Sequence, residues 1–224
     1  MTTSSSDRRS AILEAANRLF EHYGHGKTTI ADVAREAHVG VGTVYLEFES
    51  KEAIVQELSS GAHVAVLDAM RAAAETEREA PARLAAALAA RTRCFLDLRS
   101  KGQHACELVF CKTDSVRSAH QRFKEEERAL LADIVADGKK SGAFAPCEPS
   151  AVASLVQRAF ASLSPPWIFG VDEDAHRASA DLCQLLLHGL LVKKDPRALL
   201  AGPPRVRAPK STPRPAGRKP PRGR

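Results

Sequence analysis

A chain of 224 residues can hold one medium domain, or a small domain followed by a larger one, and its 44% hydrophobic content is enough for a core. Ala and Leu dominate while aromatics are only 5%, a mix that favours helices over strands; no run nears the roughly 20 apolar residues of a membrane span, and the N-terminus MTTSSSDRRS lacks a signal peptide's apolar stretch, which predicts a cytoplasmic protein. The net charge of +6 does not describe the fold, because residues 193–224 hold eleven Lys or Arg against Asp195 and leave residues 1–192 at −4.

Residues 1–6 are Ser/Thr-rich and read as disordered. A first helix is predicted over Asp7–Tyr23, with Ile12, Leu13, Ala16, Leu19, Phe20 and Tyr23 on one stripe and Gly24 and Gly26 past its end. Thr29 then offers an N-cap, and Asp32 can return the bond as a capping box. Ile30, Val33, Ala34 and Ala37 follow at helical spacing, and the small Ala34 lets a second helix cross closely. The turn Ala37-His38-Val39-Gly40 ends that helix, and a second short one is predicted over Val41–Phe48. Two short helices around a tight turn make a helix-turn-helix, whose second helix lies in the DNA major groove.

Ser50 caps a fourth helix running to about Thr76, with Ile54, Val55, Leu58, Ala62, Val66, Ala69 and Met70 on one face. It is longer than a three-helix head needs, so it can join the head to a second domain. An Ala/Leu-rich helix follows Pro81 to about Leu98, then a short segment from His104 to Lys112. A long helix begins at Asp114 and is ended by Gly138 and Gly142. Two apolar helices, Ser150–Leu163 and Asp172–Val192, flank the Pro165-Pro166-Trp167 loop. In the last of them, Leu182, Leu185, Leu186, Leu190 and Leu191 exceed a one-sided stripe, which predicts burial against a second subunit. The reading is therefore all-α, about nine helices: a disordered N-terminus (1–6), a DNA-binding head (7–54), a helical dimerisation domain (55–195), and a disordered basic Pro/Gly/Arg tail (196–224).

Thr28-Thr29-Ile30, Asp32-Val33-Ala34, Gly42-Thr43-Val44-Tyr45, Phe48 and Ser50-Lys51-Glu52-Ala53 together resemble the DNA-binding domain of TetR-family transcriptional regulators over roughly the first quarter of the chain. The resemblance implies a homodimer, joined through the last two helices, that binds a palindromic DNA operator as a repressor and is released by a small-molecule effector, which makes 55–195 an effector-binding as well as a dimerisation domain. It also implies phosphate contacts from Thr29, Thr43, Tyr45 and Lys51, with Gly40, Val41, Gly42 and Leu46 facing base edges. Two positions depart from the family. His38 stands where glycine is usual, although His tolerates the left-handed region better than most residues. Glu47 stands where an aromatic or His is usual, and an acid facing phosphate would repel it, so it is expected to turn away or weaken binding. No Arg, Asn or Gln lies between Val39 and Phe48, so specificity is expected to lean on apolar contacts and DNA shape.

Met70, Phe95, Leu108, Phe123, Phe160 and Trp167 are the candidate lining of an effector pocket, against the alternative that each is plain core. Five cysteines at irregular spacing fit free thiols in a reducing compartment. His104, Cys106 and Cys111, with Cys94, have metal-ligand chemistry but no zinc spacing, so buried thiols are the first reading and a metal or redox sensor the alternative. No nucleophile–base pairing specifies an enzyme, and no cofactor or metal is expected. Pro221-Arg222-Gly223-Arg224 is similar to the core of an AT-hook, which leaves a DNA-architectural role for the tail as a further alternative. Operator, effector and the sign of regulation are not encoded in any pattern of the chain.

Overall fold

A computed structural model describes residues 5–101, 104–110, 113–169 and 174–188. The tail, Gly102, Cys111, Lys112, Asp172 and Leu190 to Val192 therefore lie outside the described residues, as do Met1 to Ser4. Eight α-helices and three short 3₁₀ turns make up the described chain, and it contains no strand. No helix among the described residues is long and apolar enough to cross a membrane.

Helix α1 (Ser5–Tyr23) starts two residues earlier than its apolar stripe predicts. It packs with α2 (Ile30–Glu36), α3 (Val41–Glu47) and the first turns of α4 (Lys51–Glu75) around Ile12, Phe20, Val33, Val44, Phe48 and Ile54. Val55, Leu108 and Val116 join the same cluster, so the head shares its core with segments far along the chain.

Helix α4 has 25 residues, roughly 37 Å at 1.5 Å per residue. Its first half belongs to the head and its second half, through Val66, Leu67, Met70 and Ala74, to the bundle core. That bundle is completed by α5 (Ala80–Ser100), α6 (Asp114–Ser141), α7 (Pro149–Ala159) and α8 (Ala175–His188). Pro81 and Pro149 stand in first turns, where a missing N–H costs nothing. Ser50 caps α4 through the Ala53 amide at 3.1 Å, and the Glu148 carboxylate caps α7 through the Ala151 amide at 2.6 Å.

Two expectations change. Gly138 does not end α6, which runs three residues further to a left-handed Gly142 at φ 76°. Its role is space: a Cβ there would lie 2.2 Å from the Phe144 ring, which folds back over the helix. The predicted helix 150–163 breaks at Phe160 into a 3₁₀ turn, Phe160–Leu163. The described residues of the segment after α5 include a 3₁₀ turn, Ala105–Leu108.

Candidate nucleic-acid interface

Local chemistry builds the α2–α3 unit. The Asp32 amide donates to Thr29 Oγ1 at 3.2 Å, and the Thr29 amide donates to Asp32 Oδ2 at 3.0 Å, closing the capping box. Those hydrogen bonds from the Thr29 hydroxyl and amide hold the Asp32 carboxyl below its ordinary range. Past the C-cap Ala37, His38 takes φ 55°, the left-handed conformation its position in the turn demands. The Val39 amide then closes the turn on the Ala34 carbonyl at 3.0 Å.

Helix α3 is anchored from beneath by Val44 (0% exposed) and Phe48 (3%). Its outer surface is apolar and open: Leu46 is 86% exposed, Tyr45 54% and Val41 43%, with Gly40 and Gly42 also exposed and Thr43 half-buried. Apolar side chains this exposed on a short, well-anchored helix mark a surface that another molecule covers.

Glu47, at the end of α3, does not point outward with the apolar side chains. Glu47 is turned back onto α1, where Arg8 Nε lies 3.6 Å from its carboxylate and the Arg9 guanidinium donates to its backbone carbonyl. Arg9 also pairs with Glu57 and stacks 4.0 Å over the Phe48 ring. Lys51 is half-buried and spends two of its three donors on loop carbonyls, His25 O at 2.8 Å and Thr28 O at 3.0 Å. The Thr29 hydroxyl likewise donates within the capping box, to Asp32 Oδ2 at 2.6 Å. The supporting parts of Arg8, Arg9 and Lys51 were not legible in sequence, because each reaches partners 23 to 48 residues away or an acid on another helix.

One contact ties the head to the bundle. His25, in the α1–α2 loop, and His104, beside the 3₁₀ turn, donate from Nδ1 to opposite oxygens of Glu107 at 2.9 Å and 2.7 Å. Burial works to raise the Glu107 carboxyl, but these two hydrogen bonds outweigh it and leave it lowered. The His104 ring also lies against Gly24, 3.0 Å from where a Cβ would stand, and Gly24 holds φ 80°. A side chain there would be excluded both by backbone conformation and by contact.

The cavities walled by described residues divide the six candidate pocket residues between them and the core. Met70, Phe95 and Phe160 are fully buried core. Phe123 and Trp167 line a cavity of about 470 Å³ between α5, α6 and α7. Leu108 lines a different one, of about 560 Å³, between α1, α4 and α5. Cys94 also lines that second cavity, and burial raises its thiol and that of Cys106, so both stay protonated. Among the described residues, no three His, Cys, Asp or Glu side chains gather as a metal-ligand set.

Residues 12–58 match the family of bacterial regulatory proteins of the tetR type, and residues 80–183 match the tetracyclin repressor-like C-terminal domain. The HTH-type transcriptional regulator YhgD of Bacillus subtilis is 29% identical over 165 residues, 72% of this chain and 84% of that protein. The regulator TtgR of Pseudomonas putida is 38% identical over 73 residues, covering 33% and 34% of the two chains. A TetR-family regulator from Syntrophomonas wolfei superimposes with a TM-score of 0.67 at 20% identity, over 84% of this chain and 99% of that one. The Bacillus subtilis regulator FadR, solved with stearoyl-CoA, superimposes at 0.63 and 18% identity, over 81% and 99%.

Proposed function

Because the chain belongs to the TetR family and is a DNA-binding transcriptional regulator, we propose that it is a repressor that docks as a homodimer on a palindromic operator and leaves it when a small molecule binds the bundle. The observation that carries this reading is α3 itself, held by Val44 and Phe48 while Val41, Tyr45 and Leu46 face outward. Seated in the major groove, Gly40, Val41, Gly42 and Leu46 would meet base edges by apolar contact. Thr43 and Tyr45 would supply hydroxyls to phosphate. Thr29 and Lys51, largely occupied within the head, act chiefly by positioning and have less left to offer DNA.

Residues 7–54 are the DNA-binding head and 55–195 the effector and dimer domain in this reading. Leu155 on α7 and Leu185 and Leu186 on α8 are 61%, 44% and 41% exposed, while Cys183 and Ser179 of α8 face the core. These exposed leucines on the last two helices support pairing with a second copy through them. FadR with stearoyl-CoA shows that a protein of this fold can bind a small amphipathic molecule, which supports an effector cavity in the bundle here.

Release then follows from two connections between bundle and head. Helix α4 is shared by both cores, and Glu107 clamps the α1–α2 loop through His25. An effector that prefers one bundle arrangement would bias the spacing of the two heads, a shift limited by its differential affinity for the two states. Tyr45→Ala tests the docking surface. It should weaken duplex binding about tenfold whatever the sequence, the worth of one hydrogen bond to a charged group. Unchanged affinity in an anisotropy titration would remove Tyr45 from the phosphate contacts.

A further inference from the structure

The cavity between α5, α6 and α7 has an unusual floor. Arg91 (4% exposed) donates from Nε to Glu127 (2% exposed), from Nη1 to the Leu163 carbonyl at 3.1 Å, and from Nη2 to Ser164 Oγ at 2.7 Å. Gln157 donates to the other Glu127 oxygen at 2.7 Å. Apolar residues of the same volume would hold a bundle together as well or better than this buried pair. What the network adds is a fixed polar surface at the bottom of a cavity of about 470 Å³, within the range of pockets that take drug-sized molecules.

The walls carry a surplus of positive charge. Lys124, Arg128 and Arg158 line the cavity, and none has a carboxylate partner among the described residues. Elsewhere arginines find acids, as Arg18 does with Glu36 and Arg83 with Asp137. With Arg91, four cations line the cavity against Glu125 and Glu127, a surplus of two positive charges in a chain whose residues 1–192 carry −4. His120 adds a buried Nδ1 with no hydrogen-bond partner. The lining also includes Phe110 and Trp167, large apolar side chains that are 46% and 67% exposed.

We propose that this cavity binds a small organic anion, its charge held by Lys124, Arg128 and Arg158 and its apolar part resting on Phe110 and Trp167. Unpaired cations in a partly enclosed site raise the local potential and attract an anion, while a cationic ligand of the same shape would meet repulsion. This rests on the reading that an effector acts through the bundle, and it names the effector's chemistry.

Trp167 is the chain's one tryptophan, so the intrinsic fluorescence of the full-length protein reports this cavity directly. The probes are decanoate and 4-phenylbutyrate, each paired with its neutral amide. At least one anion should shift the Trp167 emission saturably, with its amide binding about tenfold or more weakly. The exposed double substitution Arg128→Ala/Arg158→Ala should weaken the anion by a similar factor and leave the amide unchanged. Equal binding of anion and amide, unchanged anion affinity in the double variant, or no saturable shift with either anion up to about 1 mM would each overturn the proposal. Saturable anion binding that leaves duplex affinity unaltered would instead keep the site and remove its regulatory role. Release of DNA by an anion with no Trp167 response would keep anion regulation and remove this cavity.

Discussion

Leu46 on α3 and Glu127 on α6 stand the wrong way round for their chemistry: the leucine is 86% exposed and the glutamate 2%. In the head, apolar side chains face out and the acid nearest them, Glu47, is folded back onto Arg8. In the bundle, the Arg91–Glu127 pair is buried and hydrogen-bonded, and the Phe110 and Trp167 rings stand at the surface. An exposed leucine alone means little, but an exposed apolar helix face and a buried polar floor are departures that folding does not ask for. Each costs something in the isolated chain, and each is what the two proposals address: a duplex at α3 and an anion at the cavity.

The largest effect expected of this contrast is on stability. Glu127→Ala leaves Arg91 buried with no counter-charge, which should cost about 3–5 kcal/mol in a thermal melt. Leu46→Ala should change stability by no more than about 0.5 kcal/mol, because its side chain covers nothing in the free protein. Similar costs for the two would erase the difference between bundle and head.

A second effect is pH-dependent and belongs to the bundle alone. Burial, with the neighbouring His120 second, pushes His63 down to about 4. In the unfolded chain the same group titrates near 6.5, so between those values the unfolded state binds the proton and the native state does not. Stability is therefore complete above about pH 6.5 and falls as pH drops toward 4, by about 3 kcal/mol from this group. His63→Leu should flatten that part of the curve. If the variant's melting temperature declined as steeply as the parent's over the same range, His63 would not be the group responsible.

The smallest effect is on the head. Glu47→Gln should alter duplex affinity by less than about 0.5 kcal/mol, as expected for a partly screened surface pair. A gain of tenfold on removing the acid, read by anisotropy, would mean that Glu47 faces phosphate after all.

The head was legible in the sequence because its determinants are local. Thr29 and Asp32 are three residues apart, and the His38 turn is set by its immediate neighbours. Val44 and Phe48 fall on the buried side at helical spacing. The bundle's helices were legible for the same reason, but the cavity was not. Arg91 finds Glu127 36 residues away and Ser164 73 residues away, and no spacing rule connects them. Large apolar residues alone are a poor guide to a lining: Met70, Phe95 and Phe160 are buried in the bundle, while Phe123 and Trp167 share their cavity with Arg91, Lys124, Arg128 and Arg158. Gly138 misled in the opposite sense. It looks like a helix stop, but it is there to admit the Phe144 ring.

Selection of bound duplexes from a random pool, using the full-length chain, tests the docking of α3 most directly. A dimer presenting two α3 helices should enrich an inverted repeat whose half-sites lie roughly one helical turn apart, about 34–36 Å centre to centre. Recovery of unrelated sequences, or of a single motif without its inverted copy, would contradict it.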